Sequence, residues 1–72
     1  MEYLIVRANP KLLKPKGNTS VLINGERNGF VNKIIILEAG FVQVSVDNPK
    51  ATKKVVELKN TTIQQPMEVT IQ

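Results

Sequence analysis

The chain has 72 residues, ten Lys and Arg against six Asp and Glu, a formal charge of +4, and neither Cys nor His. That length holds one small domain, which buries only about 60% of the surface its unfolded chain exposes. The composition excludes a disulfide framework, and it removes the commonest transition-metal ligand and the usual proton shuttle near neutral pH. Stability must then come from a regular sheet core, an oligomer or neighbouring domains.

Alternation of apolar and polar residues, rather than helical spacing, runs along the chain. Residues 3–8, Tyr-Leu-Ile-Val-Arg-Ala, predict a strand that stops at Asn9-Pro10. Residues 10–16 carry prolines at 10 and 15, which break any helix and predict an extended or turn-like crossing. Val21-Leu22-Ile23 predicts a second strand leading into Asn24-Gly25, the strongest hairpin signal present, because Asn and Gly both accept positive φ. Gly29 then predicts another change of direction before Val31. Glu26, Arg27 and Asn28, between the two, are the candidate interaction loop, although side chains at a hairpin tip are exposed whatever their role.

Val31 to Leu37, with three consecutive isoleucines, reads as a strand buried on both faces. Gly40 marks the next turn, and Phe41 to Val46 alternates cleanly, with Val42, Val44 and Val46 on one face. Asp47-Asn48-Pro49 ends that strand, Thr52 to Leu58 forms another, and Met67 to Ile71 alternates again. Asn-Pro-Lys occurs at 9–11 and at 48–50 with unmatched flanks, so it is a reused turn and not a repeat. Six or seven short strands at this spacing predict an all-β, antiparallel sandwich in a single domain over residues 1–72. Its expected core is Leu4, Val6, Val21, Ile23, Ile34, Ile36, Val42, Val44, Val46, Val56, Leu58, Val69 and Ile71, with Phe30 or Phe41 filling the interior.

The order from Gly17 to Leu58 resembles the PEGA domain, a small β-sandwich module of bacterial and archaeal proteins. The likeness rests on a glycine, an aliphatic strand, the Ile23-Asn24-Gly25-Glu26 corner and the second glycine, Gly29. It continues through Leu37-Glu38-Ala39-Gly40 to the Val-x-Val-x-Val strand, with residues 69–71 as the closing strand. Phe30-Val31 stands where the family usually has Thr-Pro, Glu38-Ala39 stands before Gly40 in place of a proline-containing pair, and Pro49-Lys50-Ala51 replaces its Gly-Tyr step. The resemblance implies a non-catalytic interaction or spacer module in a larger cell-envelope protein, whose partner is a protein or another envelope component.

Chemistry is thinly represented in the residues. The carboxylates Glu2, Glu26, Glu38, Asp47, Glu57 and Glu68 are isolated from one another in sequence, and Ser20 and Ser45 have only lysines as candidate bases. No Asp-rich loop suggests calcium, and neither Gly25 nor Gly29 opens a phosphate-binding helix. No catalytic residues, metal ligands or cofactor are therefore assigned. Asn18-Thr19-Ser20 and Asn60-Thr61-Thr62 match a glycosylation pattern too short to carry weight.

The alternative reading is a small basic nucleic-acid-binding barrel of the OB or cold-shock kind. Its three aromatics, Tyr3, Phe30 and Phe41, are too far apart to form a stacking motif, and the cations look dispersed apart from Lys11, Lys14 and Lys16 and the pair Lys53-Lys54. No apolar run approaches the ~20 residues of a membrane helix, and the N-terminal stretch is too short and acidic for a signal peptide. The chain thus reads as cytoplasmic, or as an envelope domain of a longer protein. Self-association through exposed strands is a further expectation, with residues 3–8 and 67–71 as the candidate edges, although the favoured reading is that those two pair with each other.

Overall fold

A computed structural model describes residues 1–72. Seven strands follow one another: β1 Glu2–Ala8, β2 Ser20–Ile23, β3 Glu26–Phe30, β4 Ile34–Leu37, β5 Gly40–Val46, β6 Lys54–Leu58 and β7 Met67–Ile71. They form two sheets, β4-β1-β7 and β3-β2-β5-β6, which pack their apolar faces together. The all-β sandwich expected from the alternation is the fold. Each strand reverses the direction of the one before it, so odd-numbered strands all run the same way. Placing β1 beside β7 therefore makes that pair parallel, where only antiparallel pairing was expected, while every other pair is antiparallel.

Most of the interior is the one that period-two reading assigns. Leu4, Val6, Val21, Ile23, Val44, Val46, Leu58, Val69 and Ile71 are buried, and Val42 and Val56 pack partly against them. Leu12 joins them from a place where only a crossing was expected. Asn9 Oδ1 accepts from the Lys11 amide and caps a single 3₁₀ turn, Pro10–Leu12, which drops Leu12 into the end of the sandwich. The second Asn-Pro-Lys is built alike, with Asn48 Oδ1 accepting from the Lys50 amide. The Asn48 amide group also donates to the Leu12 carbonyl, tying the two turns together.

The segment from Asn24 to Leu37 departs from the sequence reading in three ways. The Asn24-Gly25 corner stands as expected, with φ of 52° and 85°. Beyond it, however, Glu26–Phe30 is itself a strand, exposed at every position and so without an alternation to betray it. Gly29 lies inside that strand instead of at a turn. Arg27 opposes Leu22 and Phe30 opposes Ser20, so β3 spends one extra residue in a bulge at 28–29. The reversal falls at Val31–Lys33, where Asn32 adopts φ 67° and its amide donates to the Val6 carbonyl.

That shift decides which isoleucine goes inside. Ile35 is buried, whereas Ile34 and Ile36, both expected in the core, are about half exposed on the outer face of the three-stranded sheet. The run is apolar on both faces, but only one face of a four-residue edge strand meets the other sheet. Neither Phe30 nor Phe41 fills the interior; they are 42% and 72% exposed, and Val31 is buried instead.

Gly25 and Gly29 should respond differently to a side chain. Both hold positive φ, but a Cβ at Gly25 meets nothing within 4 Å, while one at Gly29 would lie 2.8 Å from Ile35 Cγ1. Gly25→Ala should lose about 1–2 kcal/mol from backbone strain alone. Gly29→Ala should lose that and a further ~1–3 kcal/mol of overpacking. Urea denaturation of the two variants checks the order; equal losses would show that Ile35 does not seat against Gly29.

Candidate functional site

The candidate loop residues stand where a hairpin tip puts them. Glu26, Arg27 and Asn28 are all exposed on β3, and they converge on no cavity. Arg27 Nη2 lies 2.9 Å from Asp47 Oδ2, bridging the edge of the four-stranded sheet to the loop after β5. Asn24 is structural: its amide donates to the Gln43 carbonyl and its Oδ1 accepts from the Gln43 amide, so the corner continues the β2–β5 ladder. Gly40 opens β5 opposite Leu58. A groove of about 410 Å³ lies beneath the 47–53 loop, but apart from Lys53 its polar side chains are already engaged. Ser45 Oγ donates to the Thr52 carbonyl, Asp47 pairs with Arg27, and Asn48 bonds Leu12 and Lys50.

The sheet edges carry more information. Four strands lie at edges: β3 and β6 in one sheet, β4 and β7 in the other. Three of these are blunted in ways that discourage strand addition. β3 carries Glu26, Arg27 and the bulge; β6 carries Lys54 and Glu57; β7 carries Glu68 and follows Pro66. β4 is Ile34-Ile35-Ile36-Leu37, with no charge, no proline and no bulge. The first and last strands pair with each other, as favoured over both being free edges, so the first lies at the centre of its sheet between β4 and β7, and only β7 of the two is an edge.

Backbone parity shows which groups point off the open edge. The Tyr3 amide donates to Thr61 Oγ1, and the Val6 carbonyl accepts from Asn32 beside the start of β4. Even-numbered residues of β1 thus face β4. Leu4 pairs with Ile35 and Glu2 with Leu37, so the N–H and C=O groups of Ile34 and Ile36 project outward. Their side chains extend an apolar strip on the sheet's outer face, since Ile36 sits opposite Tyr3 and Ile34 opposite Ile5. Sequence alone hid this edge, because a run of three isoleucines reads the same whether both faces or one are covered.

The fold also gathers cations that look scattered in sequence. Lys11, Lys14, Lys16, Lys33, Lys50 and Lys53 are exposed and all lie in the loops at one end of the sandwich, where β1, β3, β5 and β7 finish. None of them is in an ion pair. The opposite end bears Glu2, Glu38 and Glu57, the last paired with Lys59 at 3.5 Å. The three aromatics share no surface: Tyr3 lies on the outer face of one sheet, Phe41 on that of the other, and Phe30 on the β3 edge.

At the acidic end, Glu2 anchors the crossover from β6 to β7. Its Oε1 accepts from Thr61 Oγ1 at 2.6 Å and from the Thr61 amide at 2.9 Å. The Thr61 hydroxyl bond, then the amide bond, hold the Glu2 carboxyl below its ordinary value despite some desolvation. A depressed folded-state value contributes stability above the ordinary glutamate range, lost as pH falls through the folded value. Glu2→Gln should therefore be less stable than the native chain near neutrality and converge with it in acid. Thermal melts across that range would contradict the anchor if the two curves stayed parallel. No protein-family model, no curated protein and no solved structure matches the chain.

Proposed function

We propose that this chain is a non-catalytic interaction module that works by strand addition at β4. The observation that carries the reading is the contrast among the four edges: three are guarded by charge, proline or bulge, and the fourth offers four apolar residues, with the backbone groups of Ile34 and Ile36 pointing outward. Main-chain hydrogen bonds supply affinity in such contacts, and alternate side chains supply selectivity. The incoming strand should be apolar at every second position, to continue the strip formed by Tyr3, Ile5, Ile34 and Ile36. The likeness of residues 17–71 to PEGA domains supports the same role, as an interaction or spacer piece of a larger envelope protein. The non-catalytic part is supported by the way carboxylates are used. Four of the six already have partners, Glu2 on Thr61, Asp47 on Arg27, and, in exposed pairs, Glu57 near Lys59 and Glu68 near Arg7.

A second reading has its own observation. Six unpaired lysines at one end form a positive cap that suits a phosphate-bearing polymer such as nucleic acid, held by charge without base stacking.

Two titrations separate the readings. A synthetic peptide of residues 32–39 added to isotope-labelled chain should shift the amides of Ile34 and Ile36 and those of neighbouring β1. Ile36→Pro should abolish the shifts while leaving the fold intact, because proline is tolerated where an edge N–H faces solvent. No shifts along β4 at any peptide concentration would end the first reading. For the second, binding to a duplex oligonucleotide should weaken steeply with added salt and fall in a Lys11→Glu, Lys50→Glu variant. Retention that ignores both changes would end it.

A further inference from the structure

We infer that the strand β4 accepts is β4 of a second copy, paired antiparallel about a two-fold axis through Ile35. This deepens the interaction reading and rests on it. A two-fold axis normal to the sheet keeps both inner faces on one side, so the pairing must match inward residues with inward and outward with outward. Placing Ile35 opposite Ile35 of the second copy meets that requirement. It also sets Ile34 opposite Ile36 of the second copy, and Ile36 opposite its Ile34. Those are the residues whose backbone groups project from the edge, so each of the two pairs exchanges both of its hydrogen bonds. Ile34-Ile35-Ile36 reads the same in both directions, and every cross-strand pair is isoleucine on isoleucine.

Antiparallel pairing lays the lysine end of one copy beside the glutamate end of the other. Lys33 comes within one register step of Glu38 of the second copy, and the symmetric contact forms at the far end. Parallel pairing would stack lysine on lysine across a molecule already at +4. Pairing joins Tyr3 and Ile36 of one copy to Ile34 and Ile5 of the other, turning two short apolar strips into a continuous band across a six-stranded sheet. So short a ladder buries much less than the ~1,200–2,000 Å² of a standard interface, which makes the dimer weak and reversible.

Sedimentation velocity over a concentration series up to the millimolar range tests this. The native chain should move from monomer to dimer and stop there, since β4 is used up and the other edges are guarded. Ile34→Lys with Ile36→Lys should shift the midpoint at least tenfold without changing the melting curve, because both side chains lie outside the core. Lys33→Glu and Glu38→Lys should each weaken the dimer, and the two together should restore it. A merely structural role for either residue gives no such rescue. A dimer that ignores the isoleucine substitutions, or a charge swap without rescue, would overturn the pairing. If the native chain stays monomeric while the 32–39 peptide still shifts β4, the edge is a receptor for another protein's strand and only the self-pairing falls. If neither associates, the interaction reading falls with it.

Discussion

The seating of Ile35 against Gly29 is the contact on which the rest of the structure depends. A strand's side chains alternate, so committing Ile35 to the interior commits Ile34 and Ile36 to the outside. The commitment is made by β3, whose bulge brings the bare backbone of Gly29 to the place a Cβ would contest with Ile35 Cγ1. The turn at Val31–Lys33 then has the right length to deliver Ile35, not its neighbours, into that space. Slip the register by one residue and two isoleucines enter a gap sized for one.

From that choice follow the features that bear on function. With Ile35 inward, the backbone groups of Ile34 and Ile36 point off the sheet while their side chains lie on its outer face. None of these 72 residues forms a third layer over that face. The chain leaves one apolar edge open while placing Glu26, Arg27, Lys54, Glu57 and Glu68 on the others. Because exposed apolar edges are aggregation hazards, keeping one unguarded among three guarded ones is informative. The separation of lysines from glutamates along the strands adds direction, since it favours antiparallel neighbours over parallel ones.

Much of the architecture was legible in the sequence. The valine alternation in β5, the aliphatic ends of β1 and β7, and Asn24-Gly25 each state a local preference that the fold obeys. What was not legible has physical causes. β3 has no buried residue, so no apolar period marks it. Leu12 reaches the core through an Asn-capped turn between two prolines, a place where alternation says nothing. The isoleucine run satisfies both faces equally, so the choice belonged to Gly29, a residue in another strand. Asn32 did carry a signal, since asparagine accepts positive φ and the reversal sits on it. The interaction surfaces were the least readable part. An edge is defined by the strand that fails to lie beside it, and the lysine cap by loops far apart in sequence.

The direction in which β4 presents its side chains is measured most directly by isoleucine methyl relaxation in the presence of a soluble paramagnetic agent. At concentrations where the chain is monomeric, the Ile34 and Ile36 methyls should broaden strongly and those of Ile35 should be spared. The reverse pattern, with Ile35 broadened and its neighbours protected, would contradict the register and the open edge built on it.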